Sequence, residues 1–126
     1  MRLLLDSHVV LWWLDDNSAL GEMCRSSITS ATEVYVSAVT PWELGIKQAL
    51  GKLVLPDGFV AAVAATGFTA LPISFNHATR APLLPPHHRD PFDRMLIAQA
   101  ELDSLSIVTA DDTLGRYEVA VLDARR

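Results

Sequence analysis

The sequence holds one cysteine, Cys24, among its 126 residues. A single thiol closes no internal disulfide, so packing must hold the fold, and a small apolar side chain of this kind belongs in a core within a reducing compartment. Long hydrophobic runs are also missing. Asp6 cuts short the apolar start Met1-Arg2-Leu3-Leu4-Leu5 before the length of a signal peptide's hydrophobic region is reached. The longest mainly apolar stretch, Phe59 to Leu71, is broken by Thr66, Gly67 and Thr69 and is too short for a bilayer span. A soluble, cytoplasmic protein is therefore expected. Positive charge is scarce: ten lysines and arginines stand against fifteen aspartates and glutamates, for a formal net charge of −5. That removes the basic footprint that usually announces a nucleic-acid binder. The objection weakens if carboxylates hold divalent cations, which become the largest local charges at a site. Neither a Gly-x-Gly-x-x-Gly turn nor a P-loop occurs, which excludes the common nucleotide-binding signatures. Repeats, low-complexity runs and an interdomain linker are absent as well. With half of its residues hydrophobic, the chain has enough apolar surface for one core, and residues 1–126 are expected to form a single domain.

What is present alternates between strand and helix signals. Leu3-Leu4-Leu5 has the continuous apolar character of a strand buried on both faces, and Val9 to Leu14 is long enough to begin a helix. Val34 to Val39 is rich in β-branched residues and reads as a second strand. Thr40-Pro41-Trp42-Glu43 follows as a helix start, with the helix ending near Gly51. A weaker strand lies around Thr69 to Ser74, pushed to a sheet edge by Pro72. A short helical segment and the loop Pro82-Leu83-Leu84-Pro85-Pro86 come next. Asp90-Pro91-Phe92-Asp93 opens another helix, Leu105 to Thr109 reads as a buried strand, and Val119 to Leu122 as a closing one. Short strands joined by helices predict a mostly parallel α/β sheet, since parallel neighbours need crossover connections. Ligands in such sheets gather at the carboxyl ends of the strands.

Four acids fall where that edge would be. Asp6 ends the first strand, Glu43 follows the second, Asp93 opens a helix, and Asp111 follows the strand at Leu105 to Thr109. Carboxylates about 4 Å apart repel by roughly 4 kcal/mol at an effective dielectric constant of about 20, so protons or a metal must compensate them. Magnesium and manganese favour oxygen ligands, and magnesium keeps several waters, so some of the acids would act through water. Such an ion polarises a phosphodiester oxygen, activates water and offsets charge on the leaving oxygen, without a serine, histidine or cysteine nucleophile. Three of the acids also have a plainer reading, whereas Asp6 is harder to dismiss, because an apolar strand gains little from ending in a carboxylate. Glu43 stands three residues after Thr40 with Pro41 between them, the pattern of a capping box with proline at the first helical position. Asp90 and Asp93 repeat that spacing around Pro91. Asp111 precedes Asp112, and such pairs are common in turns.

Four segments together resemble one family. They are Leu3-Leu4-Leu5-Asp6-Ser7-His8, then Ser37-Ala38-Val39-Thr40-Pro41-Trp42-Glu43 with Gly51-Lys52-Leu53, then His88-Arg89-Asp90-Pro91-Phe92-Asp93-Arg94-Met95-Leu96-Ile97-Ala98-Gln99-Ala100, and finally Val108-Thr109-Ala110-Asp111. Nearly end to end, the chain resembles a PIN domain, specifically the VapC-like toxins of bacterial and archaeal toxin-antitoxin pairs. The resemblance implies a three-layer fold with a short parallel sheet between helices. It also implies a Mg2+- or Mn2+-dependent endoribonuclease acting on RNA, often homodimeric and inhibited by a small cognate antitoxin. The family's acidic residues carry over onto Asp6, Glu43, Asp93 and Asp111 as metal-binding and catalytic residues. The acid leading into Leu-Ile-Ala-x-Ala selects Asp93 over Asp90, and the acid two positions after a threonine selects Asp111 over Asp112. Asp90 is left as a helix cap or an outer-shell support.

Other residues offer competing readings. His87 and His88 suggest zinc, but they lack a recognisable ligand spacing and a cysteine set. His8 and His77 read as ordinary polar or capping residues. Arg89 and Arg94 either grip an RNA backbone or pair with Asp90 and Asp93. Lys47 and Lys52 read as solvated helix-face residues, and Trp12, Trp13 and Trp42 as packing aromatics rather than base-stacking ones. A phosphatase or phosphoacceptor domain using Asp6 as nucleophile would need an Asp-x-Asp at the first strand and a lysine near the last, and both are missing. A non-catalytic partner-binding domain with the same fold is the remaining alternative.

Overall fold

Leu3, Leu4 and Leu5 have no exposed surface at all, although they are consecutive. Side chains alternate across a strand, so this requires cover on both faces of the sheet. The computed structural model describes residues 1–126 and supplies that cover. β1 (Arg2–Leu5) is the middle strand of five in the order β3-β2-β1-β4-β5. Its companions are β2 (Glu33–Ser37), β3 (Thr69–Leu71), β4 (Ser106–Thr109) and β5 (Val121–Asp123). Every pairing is parallel.

Two cores lie on opposite faces of this sheet. Leu3, Leu5, Val34, Val36 and Val108 pack on one side against Val9 and Val10 of α1 (Ser7–Leu14), Cys24 and Ile28 of α2 (Glu22–Ser30), Leu44 of α3 (Val39–Ala49) and Phe59 of α4 (Phe59–Ala65). Leu4 and Ile107 pack on the other side against Leu96, Ile97 and Ala100 of α6 (Pro91–Asp103) and against Ala81 and Leu84, which follow α5 (Phe75–Arg80). Burying each leucine of β1 contributes roughly 1.5–3 kcal/mol, so the strand that carries Asp6 is among the most firmly held parts of the chain. The expected three-layer α/β architecture is therefore present. No helix is long and apolar enough to cross a membrane.

The details depart from the sequence reading in four places. Helix α2 was not expected, because Glu22–Ser30 is rich in serine and threonine; Ser27, Thr29 and Ser30 donate their hydroxyls to carbonyls four residues back, which keeps them inside the helix. Helix α4, a short apolar segment that fits either period, was also unread. Helix α3 begins before Thr40, and its first amide, the Val39 N–H, donates to the Ser37 hydroxyl. Thr40 therefore caps nothing. The closing strand starts at Val121 rather than Val119. β3 does lie at an edge, and it stops at Leu71, immediately before Pro72.

From β1 the chain proceeds to β2 and β3 on one side, while β4 and β5 lie on the other. Strand order thus reverses between β1 and β4, which opens a crevice at their carboxyl ends. The C-terminal residues close the far edge: the Gly21 N–H donates to the Ala124 carbonyl at 2.9 Å and the Met23 N–H to that of Arg126 at 2.9 Å. A Cβ on Gly21 would stand 2.0 Å from the Arg126 carbonyl carbon. Gly21→Ala should therefore cost about 1–3 kcal/mol in urea unfolding by forcing backbone apart. Gly45→Ala, where a Cβ meets nothing within 4 Å, should be neutral or stabilising. Equal unfolding midpoints for the two variants would contradict the close packing at Gly21.

Candidate metal centre

The crevice is a cavity of about 390 Å³, and Asp6, Glu43, Asp93 and Asp111 all line it, with Asp90, Lys47 and Trp12 beside them. All four sequence-predicted acids are thus brought together. A larger cavity of about 490 Å³ elsewhere is lined mainly by apolar residues and offers no titratable group.

Asp6 leaves β1 and caps α1. Its Oδ1 accepts from the His8 N–H at 3.0 Å and its Oδ2 from the Thr109 hydroxyl at 2.6 Å. The cap is a structural role that the sequence reading did not assign to it. Burial pushes its carboxyl above the usual range, and these two bonds offset part of that rise. The Thr109 oxygen also accepts from the Asp111 N–H at 3.0 Å, so one hydroxyl couples the acids after β1 and β4.

Glu43 lies within α3 and is 3% exposed. Its Oε1 accepts from the Ser7 hydroxyl at 2.8 Å, and its Oε2 accepts from Lys47 Nζ at 2.6 Å. Because the Ser7 proton goes to Glu43, the neighbouring Thr40 hydroxyl, 3.1 Å away, is the donor to Ser7. Lys47 is therefore not a solvated helix-face residue: one turn from Glu43, it is bonded to it, and that bond raises its pKa.

Asp90 and Asp93 divide the work that sequence spacing left open. Asp90 is the cap of α6, its Oδ1 accepting from the Phe92 and Asp93 N–H groups at 2.8 and 3.4 Å. Asp93 is thereby free to face the cavity. It accepts no hydrogen bond there, although its Oδ2 lies 3.0 Å from His88 Nε2. Burial, and then the charges of Asp6 and Asp90, push its carboxyl up to about 7. Asp111 differs again. Its Oδ1 caps the 3-10 turn at Asp112–Arg116 by accepting from the Thr113 N–H, and its Oδ2 accepts from His88 Nε2 at 3.0 Å. Burial works against its charge, but those donors bring it below the usual range.

Of the eight carboxylate oxygens in the set, the six on Asp6, Glu43 and Asp111 each have a donor, and the two on Asp93 have none. No side-chain oxygen in the protein is both fully buried and unpartnered, so those of Asp93 remain open to the cavity. Oxygen donors alone, with one carboxylate unclaimed, fit a hard divalent cation such as Mg2+ or Mn2+.

The sequence reading missed His88, Ser7, Thr109 and Lys47 as parts of this site. Zinc-ligand spacing does not find His88, which belongs here as a donor to the Asp111 carboxylate; its place in the string His88 to Asp93 is the available signal. Arg94 neither grips the cavity nor pairs with an acid: its guanidinium donates to the carbonyls of Pro82, Leu84, Pro85 and His88 and locks the preceding loop. Arg89 is exposed. His77 completes a capping box at α5, as expected of a capping residue. Trp13 packs on Phe68 and Trp42 on Phe92, while Trp12 flanks the acids.

The PIN domain family model matches residues 3–120. The chain belongs to the PIN-domain family. It is 31% identical over 127 aligned residues to ribonuclease VapC22 of Mycobacterium tuberculosis, covering 88% of each sequence. Among solved structures it resembles the DNA-bound VapBC of Salmonella typhimurium, with a TM-score of 0.72, 17% identity and 98% of each chain covered. VapBC2 of Rickettsia felis, bound to a DNA fragment from its promoter, also gives 0.72 at 10% identity, covering 97% of this chain and 98% of that one. This PIN domain is thus of the VapC-like kind, with the parallel sheet that those structures share.

The state of Asp93 gives the metal-free PIN domain a definite pH response. An unfolded aspartate titrates near 3.9. With a folded value of about 7, the native state holds an extra proton between those limits, so stability should fall as pH rises from about 4 to 7. Asp6, shifted the same way, adds to this; Asp111, shifted downward, contributes stability that is lost only on acidification below about 4. Urea midpoints in EDTA should drop between pH 5 and 8, and Asp93→Asn should flatten the drop and raise the midpoint at pH 8. A midpoint that rises with pH over this window would contradict the assignment.

Proposed function

We propose that this PIN domain is a Mg2+- or Mn2+-dependent endoribonuclease, the toxin of a toxin-antitoxin pair, with residues 1–126 working as one cytoplasmic domain. The observation that carries this reading is the unclaimed carboxylate of Asp93, half-buried among three other acids at the crevice between β1 and β4 in a chain related to a ribonuclease. Asp93 and Asp6 would hold the ion directly. Both oxygens of Asp6 already accept one hydrogen bond, but each keeps a second lone pair. Glu43, fixed by Ser7 and Lys47, and Asp111, fixed by Thr113 and His88, would complete or orient the site. A bound ion would supply charge for the phosphodiester oxygens and an activated water. The chain's own contribution is to hold four acidic groups in place before RNA arrives, while Trp12 borders the crevice that a strand would enter.

The same reading includes a homodimer and a protein antitoxin. VapBC assemblies are what the solved relatives are named for, and the 490 Å³ apolar cavity, lined by Phe59, Val60 and Val63, offers a protein partner a nonpolar surface.

Asp6→Asn and Asp93→Asn should each lower RNA cleavage by more than about 100-fold, and Asp111→Asn by roughly 10–100-fold, the usual cost of disturbing a supporting group. The asparagine at position 6 keeps an oxygen for the α1 cap, and Thr109 can reverse its hydroxyl, so the melting curve should stay close to the parent's. Cleavage of labelled RNA by antitoxin-free protein, with Mg2+ or Mn2+ and again after EDTA, checks this. Equal cleavage by Asp6→Asn removes Asp6 from the mechanism. Intact single-stranded and structured RNA at every metal concentration would instead favour a non-catalytic partner-binding domain.

A further inference from the structure

The ligand atoms of His88, Asp93 and Asp111 lie within 4.8 Å of one another, as they would around a metal ion bound by all three. The other ring nitrogen argues against that arrangement. His88 Nδ1 accepts from the Asp90 N–H at 3.1 Å, so Nδ1 is unprotonated and the ring proton sits on Nε2. A nitrogen carrying its proton has no lone pair for a metal. Moving the proton to Nδ1 would set two donors, Nδ1–H and the Asp90 N–H, against each other.

We infer that His88 is a positioning residue of the metal centre and not a ligand: its Nε2–H holds Asp111 Oδ2 and faces Asp93 Oδ2, each at 3.0 Å. The inference rests on the metal-dependent reading above. Asp111 is then held at both oxygens, by Thr113 and by His88, and would meet the ion through water, while the contact of His88 with Asp93 involves Oδ2 alone. The backbone around His88 is fixed to match. Its N–H donates to the Tyr117 hydroxyl at 2.8 Å, that hydroxyl donates to the Pro85 carbonyl, and the His88 carbonyl accepts from Arg94 at 3.0 Å. The tautomer is therefore set by the cap of α6 and the ring position by a clamped loop. Outer donors of this kind orient ligand carboxylates and tune metal affinity.

The test combines Mn2+ affinity, read from the electron paramagnetic resonance of free Mn2+, with long-range 1H–15N spectra of the histidine rings with and without Mg2+. His88→Ala should weaken Mn2+ binding roughly 10–100-fold. His88→Gln, whose amide N–H reaches the place of Nε2–H, should bind like the parent. In the parent, Nε2 should keep its proton both without metal and with saturating Mg2+. Parent-like binding by His88→Ala overturns the inference, as does His88→Gln binding as weakly as the alanine variant, or transfer of the proton to Nδ1 when Mg2+ is added. Thermal unfolding of each variant separates loss of fold from loss of the site, and the ring spectra of the parent decide the tautomer even if a variant fails to fold. If the parent binds no Mn2+, the metal-centre reading fails and takes this one with it; if the parent binds and only the tautomer or rescue result fails, the metal centre stands without a positioning role for His88.

Discussion

Carboxylates crowded at the end of a buried sheet repel one another, and the rest of this PIN domain is arranged around that repulsion. Two unit charges about 4 Å apart repel by on the order of 4 kcal/mol at an effective dielectric constant of about 20. The chain answers with its own donors. Ser7 and Lys47 hold Glu43, His8 and Thr109 hold Asp6, and Thr113 and His88 hold Asp111. Asp93 accepts no such hydrogen bond, and burial, followed by the charges of Asp6 and Asp90, pushes its carboxyl upward. A divalent cation is the compensation that its oxygens are left to accept.

Several of these donors also belong to the fold. Asp6 caps α1, Asp111 caps the 3-10 turn after β4, and Asp90 caps α6 while its own N–H sets the His88 ring. Thr109 links the ends of β1 and β4 through one hydroxyl. Site and scaffold therefore share atoms, and the buried leucines of β1 on one side and the loop clamped by Arg94 on the other fix where those atoms stand. Such sharing explains why a conservative amide substitution separates function from stability better than truncation does.

Much of this was legible in the chain. Apolar runs at Leu3 to Leu5 and Leu105 to Thr109 gave the central strands, and alternation with helices gave a parallel sheet. Strand-end position brought Asp6 and Asp111 to one edge. Spacing alone did not separate Asp93 from Asp90; the resemblance to VapC-like PIN domains selected Asp93, and in the structure Asp90 Oδ1 caps α6 while Asp93 accepts no hydrogen bond. What spacing promised at Thr40 was a cap that does not exist, because α3 starts earlier and uses Ser37. His88 and Lys47 escaped because their roles depend on partners that only folding brings near. Helix α2 escaped because its hydroxyl residues find carbonyls within the helix itself.

The central claim is that the four acids share one divalent-ion site, with Asp6 and Asp93 in direct contact. Anomalous scattering from a crystal of the protein grown with Mn2+ tests it most directly. The account predicts a peak in the crevice about 2.0–2.4 Å from oxygens of Asp6 and Asp93, within the range of such oxygen contacts. A Mn2+ peak bound elsewhere, or a crevice without one at saturating Mn2+, would contradict it.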